Sequence, residues 1–102
     1  MKLKFNAWRL QVLLATKRPD WNQSEFGRQL GANSAQVTGW LNGENQPEPD
    51  RIRQMARLLG CNELTDLRAS EDDVAEGLAE RQAWIDAGRP TMELWLEVRA
   101  AP

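Results

Sequence analysis

Stop signals cut this chain into short pieces. Pro19 with Asp20, Gly31, Gly43, Gly60 and Gly88 each close a stretch of apolar periodicity. Proline disfavours helical geometry in the residue before it, and glycine tolerates the left-handed backbone that ends a helix. Between the stops the apolar residues recur at helical spacing, so the chain is confined to short helices. Helices of two or three turns do not persist alone in water. The fold they imply is mainly α, held by packing between elements.

In residues 3–16, Phe5, Trp8 and Val12 fall on one helical stripe. Asn22 is a good N-cap with Glu25 placed for a capping box. Trp21 and Phe26 are spaced as a hydrophobic staple, and Leu30 lies one turn beyond Phe26. Asn33 or Ser34 caps a third helix with Val37 and Trp40 inward and Leu41 beside them. A proline-stiffened loop follows, then a stripe of Ile52, Met55, Ala56 and Leu59. Residues 62–68 read as a fifth short helix with Leu64 and Leu67 inward.

Beyond residue 69 the character changes. Residues 1–68 carry ten Lys/Arg against seven Asp/Glu, and residues 69–102 three Arg against eight Asp/Glu. The expected organisation is a weakly basic domain, 1–68, and an acidic C-terminal extension, 69–102. In the extension, Ser70 caps a helix and Asp73 suits its third position. Val74, Leu78 and Ile85 recur on one side with Trp84 adjacent. Met92, Leu94, Leu96 and Val98 then alternate with Glu93, Trp95, Glu97 and Arg99, a strand pattern. A helix burying Met92, Trp95 and Leu96 is the competing reading. A lone strand leaves its edges unpaired, and pairing with a second copy satisfies them. The expected homodimer contact is therefore Val74, Leu78, Trp84, Ile85, Met92, Leu94, Leu96 and Val98. The plainer alternative has this segment completing the monomer core.

Composition narrows the function. There is no histidine, no tyrosine and one cysteine, Cys61. Metal-ligand spacing is absent, so neither catalysis nor a metal or other cofactor is expected. A single cysteine excludes an internal disulfide and suits a reducing compartment. No apolar run is long enough to cross a bilayer, and Asn6, Arg9 and Gln11 interrupt the N-terminal apolar stretch. The expectation is a cytoplasmic protein without a membrane partner.

The stretch GANSAQVTGWLNG, residues 31–43, carries the strongest functional signal. Small and amide side chains lead its helix and bulky apolar ones follow. Two short helices joined by a tight glycine turn can project the second helix's leading residues into a DNA major groove. Gln36 can pair bidentately with adenine, Ser34 with several base edges, and Ala35 can pack on a thymine methyl. Asn33 can reach a base or a phosphate, and Gly39 keeps the face shallow. Gln23 in the preceding helix, with Thr38, Asn42, Asn45 and Gln46, suits phosphate contacts. Lys17, Arg18, Arg28, Arg51, Arg53 and Arg57 supply positive charge.

On these residues, NQSEFGRQLGANSAQVTGWLNG resembles the helix-turn-helix of the phage repressor and Cro class, the XRE-like DNA-binding domains. Gln23-Ser24-Glu25 resembles the family's glutamine-rich helix start and Gly31 its turn. Val37 with Trp40 resembles its packed pair, and Asn42-Gly43 its closing signature. PDRIRQMARLLGC, with Leu64 and Leu67, is similar to its fourth and fifth helices. The resemblance covers about two thirds of the chain. It implies a five-helix lambda-repressor-like domain, a dimer on paired half-sites, and a role in transcription. It also implies that Gln23 anchors the backbone and that Asn33, Ser34, Ala35, Gln36 and Gly39 face bases. Gly27 departs from the family's commoner alanine, at about 1 kcal/mol of helix propensity. Leu41 replaces an often acidic position. The resulting expectation is a sequence-specific repressor of double-stranded DNA. The alternative is an antitoxin-like regulator whose acidic segment binds a basic protein toxin.

Overall fold

Four short polar side chains start four of the helices in the computed structural model, which describes residues 2–100. The side chains of Asn6, Asn22, Asn33 and Ser70 each accept from the backbone N–H three residues on, at 2.8–3.2 Å. Each satisfies a donor that a helix start leaves orphaned. The described residues form β1 (Lys4–Phe5), α1 (Ala7–Lys17), α2 (Gln23–Leu30), α3 (Ser34–Leu41) and α4 (Pro49–Leu59). They continue with β2 (Arg68–Ala69), α5 (Glu71–Asp86) and α6 (Met92–Ala100). Among the described residues no helix is long and apolar enough to cross a membrane.

The helical class expected from the sequence stands, with six α-helices and one small sheet among the described residues. Three local expectations are corrected. Helical structure does not begin at Leu3: Lys4 and Phe5 pair antiparallel with Ala69 and Arg68, and α1 starts after Asn6. Phe5 is buried from β1, not from the stripe of α1.

Residues 62–67 form turns, not a fifth helix. The Asn62 side chain accepts from the N–H groups of Leu64 and Thr65, and the Asp66 carboxylate accepts from the N–H of Asn62. These local bonds offer the backbone an alternative to a helix. Leu67 is fully buried, whereas Leu64 is 57% exposed.

The strand expected at 92–98 is the helix α6. The backbone N–H of Trp95 donates to Thr91 O at 2.9 Å, and Thr91 Oγ1 accepts from the N–H of Leu94. The helix bonds its own backbone without a neighbouring strand, and Met92 and Trp95 come inward together.

Two apolar clusters hold these elements. The larger gathers Phe5, Leu10, Phe26, Val37, Ile52, Met55 and Leu67. The smaller joins Trp84, Met92 and Trp95 to Trp8, Val12 and Ala15 of α1. Trp8 and Trp84 meet at 5.8 Å between centroids with rings tilted by 57°. α1 is thus shared between both clusters. The boundary expected between 68 and 69 falls inside β2, and α5 packs along α1. Gly77 permits that approach, since a Cβ there would lie 3.0 Å from Trp8 Cβ.

The residues expected at a homodimer contact therefore separate. Trp84 and Met92 are buried in this chain's own second cluster, and Ile85 packs against it. Leu78 packs against the first cluster, and Val74 is half-buried. Leu94 and Val98 stay open at 51% and 58%, and Leu96 lies nearer the protein at 37%.

Candidate nucleic-acid interface

The turn between α2 and α3 rests on two glycines with different tasks. Gly31 adopts φ 72°, the left-handed region that costs a residue with a Cβ about 1 kcal/mol or more. Gly27 marks a close approach. Its carbonyl accepts from the N–H of Ala32 at 2.8 Å. A Cβ at Gly27 would sit 2.9 Å from Ala32 O and 3.3 Å from Val37 Cγ2. The departure from alanine noted in the sequence is required by how tightly α3 returns onto α2.

Val37, Trp40 and Leu41 fix α3 by entering the core. Asn33, Ser34, Ala35, Gln36 and Thr38 are exposed. Ala35, Thr38 and Asn42 follow one another at spacings of three and four along one stripe, exposed at Ala35 and Thr38 and half-buried at Asn42.

A complete capping box orders the leading edge. Asn33 Oδ1 accepts from the N–H of Gln36 at 2.8 Å, and Gln36 Oε1 accepts from the N–H of Asn33 at 3.1 Å. The Asn-x-x-Gln spacing carries the signal for this box, which gives Gln36 a capping role beside the base contact expected of it. Both are compatible: the Gln36 amide NH₂ remains a free donor, and its oxygen has a second lone pair.

Gln23 Nε2 donates to Thr38 Oγ1 at 2.6 Å, bringing together two of the residues expected at phosphates. The others take separate positions. Asn45 lies over Gly39, and Gly39 O accepts from the N–H groups of Glu44 and Asn45. Gly39 is buried, so the shallow open face expected there is closed by the Asn45 amide. Asn42 Oδ1 accepts from Arg81 Nη2 at 2.6 Å and so turns toward α5. Gln46 Oε1 accepts from the N–H of Phe5 at 3.2 Å. Gln46 and Gln36 also line one polar cleft of ≈ 410 Å³ with Arg51 and Gln54.

Most of the expected cations have partners within the fold. Arg18 donates to Leu58 O and lies over the Trp21 ring. Arg51 donates to Leu30 O and lies over Trp40. Arg53 meets Asp50 and Glu63. Arg28 donates to both Glu25 oxygens, and with a further bond from Gln29 it holds the Glu25 carboxyl at about 2, down from the ordinary 4.5. Lys17 and Arg57 are exposed and in no ion pair among the described residues. Arg81, on the acidic extension, is the cation that sequence reasoning missed, because only the fold brings it beside Asn42.

No family model, curated protein or solved structure matches the chain.

Proposed function

We propose that this chain is a sequence-specific regulator of transcription that binds double-stranded DNA as a homodimer and acts as a repressor, inserting the start of α3 into the major groove. The observation that carries the reading is the exposed edge Asn33–Gln36, presented on a helix whose other side is locked into the core by Val37, Trp40 and Leu41. Rigid presentation of amides and small groups suits direct readout of base edges. The Gln23–Thr38 pair beside it offers polar groups to the phosphate backbone, and the exposed Leu94 and Val98 offer an apolar contact for a second copy. Selection of bound duplexes from a random pool at stated salt tests the reading. A recovered consensus with two symmetric half-sites supports it, and recovery of no preferred sequence rejects it.

A second reading, the antitoxin-like regulator, draws on the first turn of α5. Glu71, Asp72 and Asp73 stand exposed there and form an acidic surface suited to a basic protein toxin. Co-purification of a basic protein that is released when these three residues are changed to their amides would favour it.

A further inference from the structure

Residues 69–102 hold eight carboxylates and three arginines. Arg99 pairs with Glu80 at 2.7 Å. Arg81 and Arg89 pair with no carboxylate among the described residues, although the segment is rich in them. Arg81 is instead directed to the C-terminal end of α3, and the charge of Arg89 reaches it from the loop after α5. Arg81 donates from Nη2 to Asn42 Oδ1, and its buried Nε meets no acceptor among the described residues. Arg89 follows Gly88 in the left-handed region at φ 52°, an uncommon conformation for a residue with a long side chain. Its N–H donates to Trp84 O, and its guanidinium lies 5.5 Å over the Trp84 ring. Trp84 follows Arg81 by three residues and so shares its side of α5.

Asn42, half-buried and turned toward α5, ends the stripe that begins at the exposed Ala35. Seven steps of about 1.5 Å from Ala35 to Asn42 make that stripe roughly 10 Å long, comparable to the roughly 12 Å width of the major groove. A duplex read at the start of α3 therefore has phosphates within reach of its other end. We propose that Arg81 and Arg89 grip a backbone phosphate of the same duplex at that end, with Asn42 orienting the Arg81 guanidinium. This rests on the DNA-binding reading above. Guanidinium groups meet phosphate oxygens with paired, directional donors, and two of them can share one phosphate. Among the described residues neither cation has a carboxylate partner. Burial and the charge of Arg89 both lower the pKa of Arg81, against a smaller opposing influence from Glu44. An anion placed between them removes that repulsion.

The experiment uses the full chain and a short mixed-sequence duplex, with binding followed by fluorescence anisotropy over a salt series. Arg89→Gln and Arg81→Gln should each weaken binding about tenfold, as expected for loss of a charge-assisted hydrogen bond. Each should also lower the slope of log K against log salt by about 0.9. Arg99→Gln removes the same charge from the same segment and should leave the slope unchanged. Arg89 is exposed, so its substitution does not put folding in question. If either Arg81→Gln or Arg89→Gln keeps the wild-type slope, or if Arg99→Gln shifts it equally, the phosphate grip is wrong while the DNA-binding reading stands. If the wild-type chain shows no salt-dependent binding, both fall.

Discussion

Gln23 donates to the Thr38 hydroxyl at 2.6 Å, so the first turn of α2 is tied to the outward stripe of α3. A polar bridge between two exposed residues contributes little to stability. Its value lies in holding both groups at one spot. Gln23→Ala should therefore leave the melting temperature nearly unchanged and weaken duplex binding evenly across sequences. Titration against a panel of mutated sites checks this. A loss confined to one base position would contradict a backbone role.

Gln36→Ala should behave differently. It removes the amide at the leading edge and should relax preference at one base pair by about 1–3 kcal/mol. It also opens half of the capping box, so its thermal melt must be read beside its affinity. Equal losses at all positions would reassign Gln36 to a purely structural part.

Gly27→Ala improves helix propensity by about 1 kcal/mol, yet it should destabilise the protein. The new methyl meets the Ala32 carbonyl at 2.9 Å, and backbone there cannot swing aside as a side chain would. Strain of about 1–3 kcal/mol is usual for such overpacking. Denaturant unfolding should show a net loss of stability, and a gain would mean that α3 can shift away from α2 freely.

Acid should weaken the start of α2 in a defined window. The Glu25 carboxyl titrates near 4.5 when unfolded and about 2 when folded. A lowered folded value contributes stability above the unfolded pKa and loses it as pH falls through the folded one. The stability gap between the wild type and Glu25→Gln should therefore be full above about pH 4.5 and close toward pH 2. A gap that does not change over that range would show that Arg28 and Gln29 do not hold the carboxylate in solution.

Trp84→Ala should be among the most damaging single changes. It empties the centre of the second cluster and removes the hydrogen bond from Trp84 Nε1 to Pro90 O. Large-to-small changes of this kind cost about 3–5 kcal/mol. The double change Leu94→Glu with Val98→Glu touches only exposed positions. It should leave the fold intact and, if these residues carry a homodimer, convert it to a monomer in sedimentation. A dimer that survives places the contact elsewhere.

What the sequence disclosed was local. Asn22, Asn33 and Ser70 cap helices because each bond spans three residues, and Gly31 and Gly60 end helices by their own backbone angles. Asn62 misled because the residue type that caps a helix also closes a turn. Residues 92–98 fit both periods: alternation gathers Met92, Leu94, Leu96 and Val98, whereas helical spacing gathers Met92, Trp95 and Leu96, and only the surface offered by Trp8 and Trp84 selects the helix. The candidate site was legible at Asn33–Gln36, where exposure follows from the inward pattern of Val37 and Trp40. It was not legible at Gly39 or Asn42, whose faces are decided by Asn45 and by Arg81 from thirty-nine positions away.

That separation bears on biosynthesis. As the chain leaves the ribosome, residues 23–41 emerge well before Leu78 can settle beside Gly43 or Arg81 can find Asn42. The pair of helices at the heart of the site is thus translated early and braced late, and a nascent chain stalled ahead of α5 would hold it without its clamp.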